Sequence, residues 1–269
     1  MAEGQRVLAP AKLTLSLRVT GRRADGYHEL AAEMVSIDLC DELVIDPDGD
    51  ALEVVADGAA APVPAGPGDL EDNLVRRALA ATGRTAAVRL VKRIPVGGGL
   101  GGGSSDAAAV LRWAGCSDLA VAARLGADVP FCVAGGRAMV TGVGERITPL
   151  PYAPRSFVLL VPPLPVRTAD VYRAFDELTP AGALPGGNDL LAAALVVAPA
   201  LARWRDALGA ASGRTPRLAG SGATWFVEGT PEELGLSGRD RVSVDGETGR
   251  VVGVRTVPAG WEGEPLAGG

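Results

Sequence analysis

The sequence is poor in the residues and segments that mark several specialised classes of protein. Its three cysteines, Cys40, Cys116 and Cys132, lie in apolar segments without metal-ligand spacing, so we expect small core residues and neither a disulfide framework nor a zinc site. No apolar run reaches the roughly 18 residues of a membrane span. The first 20 residues also lack the pattern of a signal peptide. These absences predict a cytoplasmic protein with no membrane partner.

The balance of charge excludes another class. The chain has 26 Lys and Arg residues against 32 Asp and Glu residues, and the net charge of −6 argues against a nucleic-acid binder. An anionic ligand would therefore need local cations that outweigh the overall negative charge. Five basic residues are candidates for this role: Lys12, Arg22, Arg23, Lys92 and Arg93.

A glycine-rich segment that begins at Pro95 is the most informative motif. It reads Pro-Val-Gly-Gly-Gly-Leu-Gly-Gly-Gly-Ser-Ser-Asp and follows a strand-like run at 88–94. Ser104 and Ser105 are expected to cap a helix over 105–114, with Asp106 in its first turn and Gly115 at its end. A glycine loop that leads into a helix N-terminus presents backbone N–H groups and partial positive charge to an anion. We expect that anion to be a polyphosphate.

Other interpretations of the glycine segment fit less well. A flexible linker is disfavoured because a strand precedes the segment and a helix follows it. A P-loop is disfavoured because the Gly-Lys-Ser/Thr ending is absent. A Rossmann dinucleotide site would need a βαβ unit with an acid about 20 residues on, and Asp128 stands near a proline instead.

Hydrophobic periodicity predicts an alternation of strands and helices in the first half of the chain. A helix is expected to begin at Asp72 or Asn73 and to end at Gly83, and another to end near Gly126. Surface loops are expected at 21–26 and 57–69, and a hairpin loop at 46–50. The predicted strands cover 13–19, 35–39, 43–45, 52–54, 88–94, 129–133 and 137–141.

A shift in composition near 149–154 predicts a domain boundary, and no internal repeat is visible. Beyond the boundary we expect a buried strand at 156–161 and a helix capped by Thr168. A longer helical stretch at 189–208 should be kinked or divided by Pro199. A strand at 224–227, a hairpin around Asp245-Gly246 and a loose tail after Trp261 complete the prediction.

Several separated segments resemble the GHMP small-molecule kinases. They are Ala9–Leu15 with Gly21–Leu30, the glycine loop, Gly126–Phe131 and Leu218–Ala223, and the resemblance covers most of residues 6–230. The Asp-Gly-Tyr-His-Glu-Leu sequence at 25–30 is similar to the members of this family that act on 4-diphosphocytidyl-2-C-methyl-D-erythritol in the non-mevalonate isoprenoid pathway.

The resemblance implies an α+β fold of two domains. Residues 1–153 would form an ATP-binding domain of the ribosomal S5 domain 2-like type, and residues 154–269 a ferredoxin-like domain. The implied reaction transfers the γ-phosphate of ATP to the 2-hydroxyl of the cytidylyl substrate, with Mg²⁺ as a further cofactor. A monomer or a weak homodimer is expected.

The resemblance also implies a role for each candidate site residue. Asp128 would be the general base, and Lys12 would neutralise charge on the transferred phosphate. Thr14, Tyr27, His28 and Thr168 would bind the substrate, with Tyr27 stacking on cytosine and His28 bonding its edge. No metal ligand is assigned. The predicted ATP-binding residues are Pro95, Val96, Gly97, Gly98, Gly99, Leu100, Gly101, Gly102, Gly103, Ser104 and Ser105.

The chain departs from the family pattern at two places. Two alternative functions also stay open. Thr14 stands where the family usually has Asn, and residues 231–257 replace an expected terminal helix with a Pro/Gly-interrupted stretch and a hairpin. A homoserine- or mevalonate-type kinase would share the glycine loop but would not need Tyr27-His28. A non-catalytic nucleotide-binding relative would have no use for Lys12 and Asp128.

Overall fold

Two long strands at the start of the chain organise the first sheet. The computed structural model describes residues 4–57, 72–178 and 187–263. The predicted loop at 57–69 and the predicted tail lie largely outside these residues. Strands β1 (Gln5–Arg22) and β2 (His28–Asp46) pair antiparallel along most of their length. The other strands are β3 (Ala51–Ala56), β4 (Ala87–Lys92), β5 (Arg137–Gly142) and β6 (Arg146–Pro149), in the order β3-β4-β2-β5-β6, with β1 paired to β2.

Four helices accompany this sheet within the described residues. They are α1 (Leu74–Ala81), α2 (Gly102–Trp113), α3 (Leu119–Leu125) and α4 (Val129–Ala134). Asn73 caps α1 through its side chain, as predicted. Helix α2 contacts β1, and its residues 105–111 are buried without interruption. A helix that is buried over so long a run lies within the core, so its N-terminus has a fixed place.

The expected hairpin at 46–50 was wrong. Strand β3 pairs in parallel with β4, and β4 lies between β3 and β2. A parallel pair needs a crossover connection, and α1 lies within this one. The runs at 35–39 and 43–45, predicted as separate strands, are parts of the single strand β2, opposite a register shift in β1 at Pro10/Ala11.

The strand predicted at 129–133 was also wrong, because this segment forms α4. Its Val129, Pro130, Phe131 and Cys132 are buried consecutively, and Pro130 lies in the first turn. A short apolar run does not distinguish a strand from a buried helix, and proline suits the start of a helix. The strand predicted at 137–141 is confirmed as β5.

The second sheet has a ferredoxin-like strand order. Its strands are β7 (Ser156–Val161), β8 (Arg217–Leu218), β9 (Trp225–Glu228), β10 (Arg241–Val244) and β11 (Glu247–Arg255), in the order β10-β11-β7-β9-β8. Helices α5 (Thr168–Glu177), α6 (Leu191–Val197) and α7 (Leu201–Ser212) lie between β7 and β8 in sequence. Pro199 separates α6 from α7, which confirms the predicted division.

The end of the chain departs from a ferredoxin-like unit. Residues 229–240, all of them described, contain turns where that unit would have its second helix. The hairpin predicted at Asp245-Gly246 is confirmed and adds β10 to the edge of the sheet. Both turn residues have positive φ, 51° and 84°, as a type I′ turn requires. Among the described residues no helix has both the length and the apolar character that crossing a membrane would require.

A shared apolar core joins the two sheets. Phe157 and Phe226 of the second sheet pack edge to face, with ring centroids 5.7 Å apart, and both are fully buried. They belong to one cluster with Leu13 and Ile37 of the first sheet. Ile94 and Leu100, which flank and occupy the glycine loop, are buried in this same cluster. The core between the sheets therefore fixes both ends of the glycine loop.

Removing one of these rings tests the inter-sheet core. We expect Phe157→Ala to lower the free energy of unfolding by about 3–5 kcal/mol, because a fully buried ring leaves a cavity that its neighbours fill only in part. Denaturant titration measures this loss. Phe157→Leu, which retains most of the apolar volume, should lose distinctly less. A Phe157→Ala variant within about 1 kcal/mol of the wild type would contradict this account of the core.

Candidate active site

A cleft of about 980 Å³ is lined by elements associated with both sheets. Lys12 comes from β1, Asp128 precedes α4, and Thr168 begins α5. Every predicted site residue lines this cleft except Ser105. Predicted residues as far apart in sequence as Lys12 and Thr168 thus line one cleft. Gly220 and Ser221, from the loop at 219–223, also line it.

Close approach of backbones explains the glycines. Gly97, Gly99 and Gly101 have φ of 71°, 76° and 71°, a region that L side chains rarely adopt. A Cβ on Gly99 would overlap the carbonyl oxygens of Ala219 and Gly222, and one on Gly101 would lie 2.8 Å from Lys12 Cγ. The glycine loop therefore lies between β1 and the loop at 219–223 with no room for a side chain at either position.

The start of α2 differs from the prediction. The helix begins at Gly102 with Gly101 as its N-cap, so neither serine caps it and Asp106 lies beyond the first turn. The Ser105 hydroxyl donates to the Pro10 carbonyl at 2.6 Å and is buried, which excludes it from the cleft. Gly101, directly before the helix, takes the left-handed conformation, which glycine adopts without strain. The first N–H groups of α2 have no acceptor within the helix and are therefore available to an anion.

A lysine and a carboxylate form the charged centre of the cleft. Lys12 Nζ lies 3.3 Å from Asp128 Oδ2 and donates to Thr14 Oγ1 at 3.2 Å. Lys12 is only 6% exposed, whereas the Asp128 side chain is about one-third exposed. Lys12 and Thr14 lie two residues apart on one strand and so share a face. Asp128 is the N-cap residue of α4 but makes no capping bond, which leaves its carboxylate to the cleft.

The predicted substrate residues on the 25–30 segment have different surroundings. Tyr27 is 66% exposed at the rim of the cleft. His28 is enclosed by α5: its ring stacks on Tyr172 at 4.8 Å with an interplanar angle of 24°, and Phe175 lies edge-on. Its Nε2 lies 2.6 Å from Asp176 Oδ1.

Sequence reasoning missed the three α5 residues around His28 as parts of the site. Tyr172, Phe175 and Asp176 stand at helical spacing, which predicts a shared face but does not say what that face contacts. The predicted capping role of Thr168 was wrong, because Arg167 is the N-cap residue. The Thr168 hydroxyl instead lies 3.0 Å from Ser221 Oγ and links α5 to the loop at 219–223.

Lys92 belongs to a buried charge cluster beside the start of α2, at the lining of the cleft. Its ammonium pairs with Asp41 and, at 2.6 Å, with Asp106. Asp41 Oδ1 also accepts the backbone N–H groups of Arg93 and Ile94. Asp106 Oδ1 has no hydrogen-bond partner among the described residues. Burial raises the pKa of Asp106 well above its ordinary value, and the nearby Asp41 carboxylate adds to this effect although Lys92 opposes it.

The remaining predicted cations are also paired. Arg93 bonds to Asp57 and Glu42, Arg22 lies 3.3 Å from Asp176, and Arg23 bonds to Asp25. Lys12 alone of the five candidates has its ammonium at the Asp128 carboxylate in the centre of the cleft. An incoming phosphate would therefore meet Lys12 and the helix N-terminus rather than a general basic patch.

Comparison with known proteins gives the family. The family model of the GHMP kinases N terminal domain matches residues 73–136. A 4-diphosphocytidyl-2-C-methyl-D-erythritol kinase from Paracoccus denitrificans is 42% identical over 240 residues, which cover 82% of this chain and 86% of that protein. The chain belongs to the 4-diphosphocytidyl-2-C-methyl-D-erythritol kinase family. It is a small-molecule kinase of the GHMP type, which implies the use of ATP.

Other relatives agree with this assignment. The enzyme of the same name from Rhodopseudomonas palustris strain CGA009 is 40% identical over 262 residues, with 81% and 86% of the two chains covered. A crystal structure of 4-(cytidine 5′-diphospho)-2C-methyl-D-erythritol kinase matches with a TM-score of 0.70 and 33% identity over 94% of this chain and all of that one. Methanococcus jannaschii mevalonate kinase, at 13% identity and a TM-score of 0.59, covers 95% and 99% and shows the fold alone. The predicted α+β GHMP kinase fold is confirmed.

The buried carboxyl of Asp106 gives a testable dependence of stability on pH. Because its pKa is higher in the folded than in the unfolded chain, wild-type stability should fall as pH rises from about 4 toward the raised value. Asp106→Asn cannot ionise and lacks this loss. We therefore expect the stability of Asp106→Asn relative to the wild type to increase between about pH 4 and pH 8, as followed by urea unfolding.

A surface variant provides the control for this measurement. Asp206→Asn makes the same change of charge at an exposed position on α7 and should leave the relative stability nearly independent of pH. A decrease in the relative stability of Asp106→Asn with rising pH would show that the buried cluster favours the ionised carboxylate.

Proposed function

We propose that this protein transfers the γ-phosphate of ATP to the 2-hydroxyl of 4-diphosphocytidyl-2-C-methyl-D-erythritol, releasing ADP and the 2-phosphate. Several proteins that carry this name are 36–46% identical to the chain. The observation that carries the proposal is the Lys12–Asp128 pair, 3.3 Å apart, in the same cleft as the glycine loop and His28. A nucleotide-binding protein without catalysis would not need a carboxylate beside a buried ammonium at this point.

Asp128 and Lys12 have complementary tasks in this reaction. Phosphoryl transfer depends mainly on positioning and on stabilising charge. Asp128 accepts the proton of the substrate hydroxyl late, as the new oxygen–phosphorus bond forms, because an ordinary carboxylate is far too weak a base to ionise an alcohol beforehand. Lys12 stabilises negative charge on the phosphoryl oxygens from a fixed position. Thr14 accepts a hydrogen bond from the ammonium and orients it.

The nucleotide phosphates bind at the glycine loop. The loop backbone from Gly97 to Gly103 and the first N–H groups of α2 face the cleft, where no side chain obstructs an anion. The proposal also divides the chain into two domains. Residues 1–153 bind ATP, and residues 154–269 close the cleft with α5 and the loop at 219–223. The proposed assembly is a monomer or a weak homodimer.

Mg²⁺ accompanies ATP in this proposal, and the residues present fit it. The described residues contain no group of three or more His, Cys, Asp or Glu side chains that would enclose a metal ion. Mg²⁺ is usually bound by one or two carboxylates together with substrate phosphates, so a full protein cage is not required. Ser104 lines the cleft at the start of α2 and offers a hydroxyl ligand, and Asp106 would offer its unpartnered Oδ1 in the ionised form. When bound, the ion neutralises charge on the phosphates.

The decisive assay measures ADP release from Mg-ATP. We expect turnover with 4-diphosphocytidyl-2-C-methyl-D-erythritol and none with homoserine or mevalonate. Turnover with a control substrate alone would retain the kinase and replace its substrate. ATP binding without turnover on any of the three alcohols would favour a non-catalytic relative.

Replacement of the general base separates chemistry from nucleotide binding. We expect Asp128→Ala to lower kcat by about 10²–10⁴, the usual size of a general-base loss. ATP affinity, measured by calorimetry, should stay within a few-fold because the phosphates bind elsewhere in the cleft. The exposed Asp206→Ala on α7 is the matched control and should retain wild-type kcat. An unchanged kcat in Asp128→Ala would remove Asp128 from the mechanism.

A further inference from the structure

The surroundings of His28 determine where its ring carries a proton. Its side chain is about one-tenth exposed, with Tyr172 against one face and Asp176 Oδ1 at 2.6 Å from Nε2. A carboxylate can only accept, so Nε2 must carry a hydrogen to make this bond. Among the described residues Nδ1 makes no hydrogen bond, and His28 lines the cleft.

A second cation lies beside Asp176, so the imidazole of His28 can hold this contact in its neutral form. Arg22 Nη1 lies 3.3 Å from Asp176 Oδ2, so the carboxylate already has a positive partner on its other oxygen. A second proton on His28 is then not needed to balance Asp176. The neutral ring with hydrogen on Nε2 leaves a lone pair on Nδ1, which makes that nitrogen an acceptor.

We infer that Asp176 is a positioning residue that fixes the Nε2–H tautomer of His28, so that Nδ1 accepts a hydrogen bond from the exocyclic amino group of the cytosine base. This inference rests on the proposed function. Cytosine presents an N–H₂ donor at its 4-position, whereas uracil presents a carbonyl oxygen there. An acceptor on Nδ1 pairs with the first group and leaves the second without a partner. Asp176, which does not itself need to touch the base, thereby contributes to base selectivity.

The position of Asp176 supports a role in the site rather than in folding. It lies one turn after Tyr172 on α5, and its side chain is about one-quarter exposed. Among the described residues its side-chain partners are Arg22 and His28, both on the segment of the first sheet that borders the cleft. Loss of the carboxylate therefore removes a contact between α5 and that segment without opening a cavity in the core.

The single histidine makes the tautomer directly observable. His28 is the only histidine of the 269 residues, so tag-free protein labelled with ¹⁵N-histidine gives one pair of ring nitrogen signals and needs no assignment by mutagenesis. Couplings to the ring protons identify each nitrogen. We expect Nε2 in the protonated range and Nδ1 in the unprotonated range in the wild type. A protonated Nδ1, alone or together with Nε2, would overturn the inference.

Variants on the same helix separate the effect of Asp176 from that of a general surface change. Asp176→Ala should give a mixture of tautomers, and Asp176→Glu should restore the wild-type signals at least in part. Asp170→Asn is the matched control, because Asp170 is also on α5 but pairs with Arg167 and Arg173. Circular dichroism of each variant checks that α5 and the fold are retained. Wild-type tautomer in Asp176→Ala would overturn the positioning role.

Kinetics with a cytidine and a uridine substrate test selectivity for the nucleobase. For 4-diphosphocytidyl-2-C-methyl-D-erythritol, we expect Asp176→Ala to lower kcat/KM about tenfold or more, mainly through KM, because a buried hydrogen bond to the base is lost. The preference of Asp176→Ala for this substrate over its uridine counterpart should be lower than that of the wild type by a similar factor. An unchanged preference would overturn the inference while leaving the proposed function intact.

Binding of nucleotides keeps the inference testable if the proposed reaction is not found. CMP should move the Nδ1 signal of wild-type His28 toward the hydrogen-bonded range, and UMP should not. Equal shifts with both nucleotides, or none with CMP at millimolar concentration, would overturn the role in base recognition. A wild type that responds to CMP but transfers no phosphate would refute the proposed function alone.

Discussion

The approach of three backbones at the glycine loop is the constraint on which the site depends. The loop contacts Lys12 of β1 on one side and the loop at 219–223 on the other, at distances where a Cβ on Gly99 or Gly101 finds no room. Ala223 and Thr224 donate backbone hydrogen bonds to Gly97 and Gly98. This contact places a helix N-terminus, a buried ammonium and the second sheet around one small volume. Phosphoryl transfer needs such positioning more than it needs reactive side chains.

The loop keeps its shape because its surroundings are fixed on both sides. On the side of the core between the sheets, Ile94 and Leu100 are buried. On the side of the charge cluster, Asp41 accepts the N–H groups of Arg93 and Ile94 and pairs with Lys92. Buried charges are expensive unless they are paired and hydrogen-bonded, so this cluster is a poor source of stability but a strict constraint on geometry. The raised pKa of Asp106 reflects its burial first, and the neighbouring Asp41 carboxylate adds to the effect although Lys92 opposes it.

The sequence predicted the parts of the site whose chemistry is local and missed those set by tertiary contact. The glycine loop was recognisable because glycine content and a following helix are local properties, and most strands followed from alternation. The resemblance to GHMP kinases, not periodicity, placed Lys12 beside Asp128. The parallel pairing of β3 with β4 and the helix at Val129–Ala134 were missed, because neighbours in the fold decide both. Tyr172, Phe175 and Asp176 were recognisable as a helix face, but nothing local connects that face to His28.

Thr14 indicates how recognition and catalysis are divided in this chain. The family usually has an amide at this position, which can donate and accept at once. The Thr14 hydroxyl is buried, and its oxygen accepts from Lys12 Nζ at 3.2 Å. A single short hydroxyl committed to Lys12 has little left for the substrate, so Thr14 supports the charge that stabilises transfer. Under the proposed function, recognition of the cytidylyl end then falls to another part of the cleft lining, where the 25–30 segment meets α5. Under the proposed function the two tasks therefore lie on different elements, with Thr14 on β1 and the cytidylyl end at the contact between the 25–30 segment and α5.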